Sequence, residues 1–150
     1  MPTIKYQIYI NAPIEHCFDL ARNIDIHTQT VQHTKEKAIG GVTSGLIEER
    51  ETVTWEAVHF GIKQRLTAQI IEMKKPDYFV DVMVKGAFHS FHHTHQFVKK
   101  QDGTLMVDIF HYKSPLGPIG VLADKLFLEK YMERFIIFRS KELKKIAEGS

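Results

Sequence analysis

The chain has 150 residues, of which 43% are hydrophobic and 25% are charged. That length and composition predict a single domain over residues 1–150 and exclude a disordered chain. The formal net charge of +2, without a long basic run, excludes a nucleic-acid surface. A single cysteine, Cys17, excludes an intrachain disulfide, and no apolar run reaches the roughly 20 residues that cross a bilayer. With no signal-peptide layout at the N-terminus, we expect a cytoplasmic protein without membrane insertion.

The N-terminal part of the chain predicts one strand and two short helices. Residues 3–10 alternate between apolar and polar side chains, which is typical of a half-buried strand. Pro13 and Glu15 then favour the first turn of a helix, for which Asn11 is the better capping residue. The second helix is predicted near residues 25–32.

Six more strands are predicted between regularly spaced turn signals such as Gly40-Gly41, Phe60-Gly61 and Asp102-Gly103. The short connections predict antiparallel pairing between neighbouring strands. Several runs exceed the usual strand length of about five or six residues, so the sheet is expected to curve. We place these strands at residues 36–39, 47–58, 62–73, 78–85, 88–99 and 104–112.

The C-terminal part predicts one long helix over residues 121–147, which contain neither glycine nor proline. A large sheet buries one face, and this helix is the element long enough to cover it. The order of elements is therefore strand, two helices, six strands and a long helix, an α+β fold. The predicted apolar face of the helix comprises Leu122, Leu126, Leu128, Met132, Phe135, Ile136, Leu143 and Ile146.

A set of short stretches along this order matches a known superfamily. They are Ala12-Pro13, Val53-Thr54-Trp55, His59-Phe60-Gly61, Leu66-Thr67, Pro76, Phe79, Asp81, Gly86, Phe88, His93, His95, Phe97, Met106, Asp108, Tyr112, Pro115, Gly117 and Arg139. Over nearly its whole length the chain resembles the START-like superfamily. That superfamily includes relatives of the birch-pollen allergen, steroidogenic lipid-transfer domains and polyketide cyclase/dehydrases. Within it, the chain is similar to a bacterial branch of ligand-binding SRPBCC domains.

The resemblance implies a helix-grip fold, in which a seven-stranded curved antiparallel sheet encloses a cavity with the C-terminal helix. It also implies a small apolar ligand, such as a lipid, sterol, polyketide or hormone. The chain departs from the family pattern at Ala87, where proline is frequent, and at Met83, where a polar residue is frequent. Both departures favour a more apolar cavity lining.

A histidine cluster is the most informative local feature. Within residues 89–97, alternation places His93 and His95 on the same strand face as two phenylalanines, which predicts that this face is buried. His59 shares the phase of the only tryptophan and is also expected to point inward. Periodicity does not choose the inward phase for Asp81 or Asp108, because both faces of their strands are apolar. The resemblance favours Asp81 inward.

Three interpretations of this cluster remain open. The two histidines could ligate a metal with His59, Asp81 or Asp108 as a third ligand. Together with His59, they could perform acid–base chemistry with Asp81 or Asp108. The favoured interpretation is that hydrogen-bonded imidazoles supply polar points in an apolar pocket. We accordingly predict no metal, and because phosphate-loop and dinucleotide motifs are absent, no cofactor.

The predicted ligand site combines aromatic and apolar side chains with this polar cluster. Arg139 is expected to form an ion pair with Glu142 or Asp108, or else to anchor a ligand carboxylate. The favoured function is binding a small apolar molecule as a carrier or sensor. The alternatives are an acid–base cyclase, dehydratase or hydrolase and a protein-interaction module, and the oligomeric state is left open. The predicted ligand-binding residues are Trp55, His59, Phe79, Asp81, Met83, Phe91, His93, His95, Phe97, Asp108, Tyr112, Met132 and Phe135.

Overall fold

The computed structural model describes residues 2–149 and shows a seven-stranded antiparallel sheet. Across the sheet the strand order is β1-β7-β6-β5-β4-β3-β2, so consecutive strands pair except that the first lies beside the last. The strands are β1 (Thr3–Ile10), β2 (Lys37–Gly41), β3 (Thr52–His59), β4 (Ile62–Lys74), β5 (Tyr78–Lys85), β6 (Ser90–Lys99) and β7 (Thr104–Lys113).

Helices cover one face of this sheet. Two short helices, α1 (Ile14–Ala21) and α2 (Ile24–Thr30), follow the first strand and precede a 3-10 turn. After the last strand, α3 (Gly117–Ala123), a π-helical segment (Asp124–Leu128) and α4 (Glu129–Gly149) follow one another without a break. This is the predicted α+β helix-grip fold. No helix within residues 2–149 is long and apolar enough to span a membrane.

The third strand begins later than predicted, because residues 47–51 are not part of it, although the backbones of Arg50 and Glu51 still hydrogen-bond to Ile70 of β4. The backbone N–H of Ile47 donates to the Arg22 carbonyl, and the Arg22 guanidinium donates back to the Ile47 carbonyl at 3.0 Å. Arg50 has a φ of 76°, which is incompatible with an extended strand. The segment is thus held against the loop between α1 and α2, and the strand starts at Thr52.

Both helix starts also differ from the prediction. The first helix has Pro13 as its N-cap without a side-chain bond, while the Asn11 backbone N–H donates to Glu148 at 2.8 Å. The C-terminal helix begins at Gly117 instead of Val121. Pro118 is tolerated there because the first turn of a helix has no partner for its N–H groups.

The predicted apolar face of the C-terminal helix is wrong at Leu122 and Leu126, which are 58% and 67% exposed. The π-helical segment inserts an extra residue into the turn and changes which side chains face the sheet. Asp124 is buried instead and accepts hydrogen bonds from Tyr112 and Ser114. From Met132 onward the predicted apolar face again packs toward the sheet, with Ile136 and Leu143 buried.

Candidate functional site

An internal cavity of about 350 Å³ lies between the sheet and the C-terminal helix. Strands β3 to β7 supply one wall, and α4 supplies the other. Nine of the residues predicted to bind ligand line this cavity. They are Trp55, His59, Phe79, Asp81, Phe91, His93, His95, Met132 and Phe135.

The other four predicted residues lie outside the cavity wall. Phe97 packs against Phe18, with ring centroids 5.4 Å apart, in the core beneath α1. Tyr112 is fully buried, and its hydroxyl donates to Asp124. Met83 packs against a second core cluster, and Asp108 lies under α4. None of these side chains lines the cavity; Phe97, Asp108 and Tyr112 are buried, whereas Met83 is half-buried.

The structure shows on which face of the sheet the side chains of Asp81 and Asp108 lie. In β5, Phe79 and Asp81 face the cavity. In β7, Met106, Asp108 and Phe110 are buried on the face toward the helix. Cross-strand register then sets the neighbours, because Asp81 pairs with His93 and His95 pairs with Asp108.

The four polar side chains of this register form two hydrogen-bonded pairs. His95 Nε2 lies 2.8 Å from Asp81 Oδ1, and His93 Nε2 lies 2.8 Å from Asp108 Oδ1. The two imidazole rings stack with centroids 3.8 Å apart, and the opposite face of His95 stacks on Phe79 at 4.2 Å. We call these four residues together with Arg139 the polar cluster.

Asp108 is the buried centre of the polar cluster. It is 1% exposed and accepts hydrogen bonds from Arg139 at 2.7 Å and from Ser140 at 3.2 Å, both on α4. Burial raises the pKa of its carboxyl, but the Arg139 guanidinium and His93 outweigh burial and hold the pKa well below its ordinary value. The predicted pairing of Arg139 with Asp108 is therefore confirmed.

The ionisation of the Asp81–His95 pair is also shifted by its surroundings. Burial, reinforced by the neighbouring His93, lowers the pKa of His95 to about 4 in spite of Asp81. Burial raises the pKa of Asp81, but the hydrogen bond from His95 reverses the shift, and the pKa lies below its ordinary value. Near neutral pH the pair is thus a carboxylate with a neutral imidazole that donates from Nε2.

Three residues of the polar cluster have side chains of the types that ligate metal ions. The candidate ligand atoms of Asp81, His93 and His95 lie within 4.8 Å of one another. However, the two imidazoles are stacked with only 27° between their planes, so their nitrogen lone pairs run side by side and do not converge on one point. A metal is bound in the plane of each imidazole at about 2.0–2.1 Å. The arrangement therefore suits hydrogen bonding better than metal coordination.

A second polar pair lies where β3 turns into β4. His59 Nδ1 is 2.6 Å from the Tyr131 hydroxyl on α4. Burial lowers the pKa of His59 and raises that of Tyr131, so the phenol donates to a neutral imidazole. Phe60, at a φ of 54°, occupies the two-residue turn with Gly61 and packs on Tyr131 at 4.4 Å. The hairpin is thereby fastened to the helix across the cavity.

Sequence reasoning missed a third polar pair, His27 and Glu36. His27 Nε2 lies 2.6 Å from Glu36 Oε1, and its ring packs on Trp55 with centroids 4.4 Å apart. Both residues line the cavity. Their separation in sequence carries no motif, and Glu36 looks like a surface residue before a short strand. Tyr131 was missed for the same reason, since a tyrosine on a helix gives no signal of its hydrogen-bonding partner.

Solved structures share this fold at low sequence identity. A protein from Thermus thermophilus is 22% identical, with a TM-score of 0.79, covering 96% of this chain and 95% of that one. Ginseng major latex-like protein 151 from Panax ginseng is 12% identical, with a TM-score of 0.72 and 97% coverage of both chains. The di-domain ARO/CYC protein StfQ of the steffimycin biosynthetic pathway is 10% identical, with a TM-score of 0.76. The alignment covers 98% of this chain but only 51% of StfQ.

The family comparison extends over most of the chain. Residues 10–137 match the family model described as polyketide cyclase/dehydrase and lipid transport. No curated protein matches the sequence. The matched segment contains the whole sheet after the first strand and every residue of the polar cluster except Arg139. The chain therefore belongs to the polyketide cyclase/dehydrase and lipid transport family, and its fold is that of the START-like superfamily.

Proposed function

We propose that this domain binds a small, mainly apolar molecule in its cavity and acts as a carrier or sensor. The observation that carries this proposal is the cavity of about 350 Å³. Its wall is aromatic, with Trp55, Phe79 and Phe91 among the lining residues, while its polar groups are confined to a few positions. Small-molecule sites have this character, with an apolar wall and few polar groups that orient the ligand.

The size of the cavity narrows the ligand class. Cavities for drug-sized ligands hold roughly 300–1,000 Å³, and this one lies at the lower end. A single-chain or small polycyclic molecule suits that volume better than a two-chain lipid. Burying the apolar surface of such a ligand contributes about 25 cal/mol per Å². The polar side chains that line the cavity, Asp81, His93 and His95 among them, then orient the ligand.

The position of the only tryptophan makes this proposal directly measurable. Trp55 lines the cavity and is 9% exposed, so its fluorescence reports on occupancy. We expect a change in Trp55 emission when single-chain and polycyclic ligands are titrated, and native mass spectrometry to detect a bound molecule after purification. Saturable binding supports the proposal, whereas no binding by any apolar ligand contradicts it.

A cavity-filling variant provides the control. Ala68 is buried and lines the cavity, so Ala68→Leu adds three carbons to the space that the ligand would occupy. Ala123→Leu adds the same atoms on α3, outside the cavity lining. We expect the first substitution to abolish binding and the second to leave binding unchanged. Equal binding by both variants would place the ligand elsewhere.

An acid–base enzyme is the second candidate function. It is supported by the carboxylate–imidazole pair of Asp81 and His95, because both residues line the cavity. A positioned acid or base typically contributes 10²–10⁴-fold to a rate. With His95 Nε2 engaged by Asp81 and Nδ1 3.5 Å from Asp108, the Asp81 carboxylate is the better placed base.

Substitution of the histidines tests the enzymatic alternative. With a polyketide-type substrate that Trp55 fluorescence shows to bind, we expect His93→Gln and His95→Gln to reduce turnover by at least 10²-fold while binding persists. Unchanged turnover in both variants would leave the carrier or sensor role as the function of the cavity.

A further inference from the structure

The guanidinium groups of the cavity wall are all engaged by carboxylates behind the wall. Arg139 is paired with Asp108 at 2.7 Å, and Arg65 is paired with Glu56 at 3.1 Å. Neither of these carboxylates lines the cavity. The third guanidinium, on Arg22, has two acidic partners at 2.9 Å, and these also lie outside the lining. The permanent positive charges of the wall are thus already neutralised.

The two carboxylates that line the cavity are in the opposite situation. Asp81 is paired with His95, and Glu36 is paired with His27. Within residues 2–149, neither carboxylate has a lysine or arginine within ion-pair distance. An imidazole carries no permanent charge, so these two positions are left as the negative points of the wall.

Of the two, Asp81 is the better placed to meet a ligand. Its side chain remains 18% exposed, toward the cavity that it lines, while its Oδ1 is held by His95. The Glu36 side chain, by contrast, is only 9% exposed, and its Oε1 is held by His27 at 2.6 Å. The Coulomb attraction between a cation and the Asp81 carboxylate would be stronger in the cavity than in water.

We propose that the cavity selects a ligand with an apolar body and a protonated amine, for which Asp81 is the counter-ion. This inference rests on the proposed function, since it specifies the polar end of the molecule that the cavity binds. An ammonium donates three hydrogen bonds and accepts none, which matches a carboxylate acceptor. A ligand carboxylate would instead be placed beside Asp81, with Arg139 already bound to Asp108.

The overall charge of the protein opposes a preference for an amine ligand, so a measured preference for the amine cannot come from the net charge. The formal net charge is +2, so long-range electrostatics favour anionic ligands over cationic ones. A preference for the amine therefore has to originate in the cavity.

The test compares three ligands of equal chain length: decylammonium, decanol and decanoate, each below its aggregation concentration. Binding is followed by Trp55 fluorescence and by isothermal titration calorimetry at pH 7. We expect decylammonium to bind about tenfold more tightly than decanol, because its ammonium adds a charge–charge attraction to the hydrogen bond that either head group can donate to the Asp81 carboxylate. Decanoate should bind more weakly than both.

Matched variants test whether Asp81 causes the preference for decylammonium over decanol. Asp81→Asn removes the proposed counter-ion while keeping the side-chain shape, and it should abolish the preference for decylammonium over decanol. Asp102→Asn removes one negative charge from an exposed turn and should leave the preference unchanged. Because the comparison of the three ligands on the unaltered protein already tests selectivity, the result does not depend on folding of the Asp81 variant.

The outcomes separate this inference from the proposed function. Equal binding of all three ligands, or a preference for decanoate, would overturn the amine inference while the cavity still binds apolar molecules. A preference that is lost in Glu36→Gln and kept in Asp81→Asn would overturn the assignment of Asp81. Binding of none of the three would overturn the proposed function and this inference together.

Discussion

Asp81 and Asp108 lie on the same concave face of the sheet, two strands apart, and each accepts a hydrogen bond from an imidazole at 2.8 Å. Their surroundings nevertheless differ. Asp108 is 1% exposed and is also held by Arg139 and Ser140 from α4. Asp81 has no partner on the helix among residues 2–149 and remains 18% exposed, toward the cavity. The helix covers one carboxylate and leaves the other open.

The contrast shows how one residue type takes two roles in one sheet. A carboxylate that is fully paired and covered fastens the helix to the sheet, and it has no capacity left for a ligand. A carboxylate with a single neutral partner keeps an oxygen that can accept a hydrogen bond from a ligand. Burying its negative charge without a cationic partner costs free energy. Comparing the two positions by substitution separates stability from binding.

The largest effect is expected for Asp108→Asn. The substitution leaves the Arg139 guanidinium buried without a counter-ion, and breaking a buried pair in this way costs about 3–5 kcal/mol of unfolding free energy. Urea denaturation monitored by Trp55 fluorescence measures the loss. A loss below about 1 kcal/mol would show that Asp108 does not hold the helix to the sheet.

Acid is expected to lower the free energy of unfolding through the protonation of His95. Folded His95 takes up its proton at about pH 4, whereas the unfolded chain takes it at the ordinary value of 6.5. Unfolding therefore binds a proton between these values, and stability falls as the pH drops from about 6.5 to 4, by up to about 3 kcal/mol. Denaturation curves across this range measure the slope, and His95→Gln should flatten it. An unchanged slope in the variant would assign the pH dependence to other groups.

A smaller effect is expected for Ser140→Ala. The Ser140 hydroxyl is buried and donates to Asp108 Oδ2, so its removal costs the net value of one hydrogen bond to a charged group, about 1.5–3 kcal/mol. The length of this bond, 3.2 Å, favours the lower end. Thermal and urea unfolding measure the change. In the double variant with Asp108→Asn the two losses should not add, because both act on the same carboxylate.

The smallest effect on stability is expected for Asp81→Asn. The amide oxygen can still accept the hydrogen bond from His95, and no cation loses its partner. We expect a change of about 1 kcal/mol or less in urea denaturation. A loss as large as that of Asp108→Asn would remove the distinction between the two aspartates and make Asp81 a second structural anchor.

Several features of the fold could be predicted from the sequence because they depend on neighbouring residues. Alternation over residues 3–10 and 104–112 specified strands, and Phe60-Gly61 specified a turn between two strands. The absence of glycine and proline over residues 121–147 specified a long helix. Residues 47–51 were wrongly assigned to a strand, because the local sequence pattern does not reveal that the Arg22 guanidinium donates a hydrogen bond to the Ile47 carbonyl.

The sequence by itself determined that His93 and His95 share a buried strand face with aromatic neighbours, since alternation along a strand is a local property. Only the tertiary structure decided which aspartate each histidine meets, because strand register places Asp81 and Asp108 on either side of them. It also decided that α4 covers Asp108 and that Glu36 and Tyr131 reach the cavity. These outcomes depend on contacts between residues far apart in the chain, and no periodicity within a single segment encodes them.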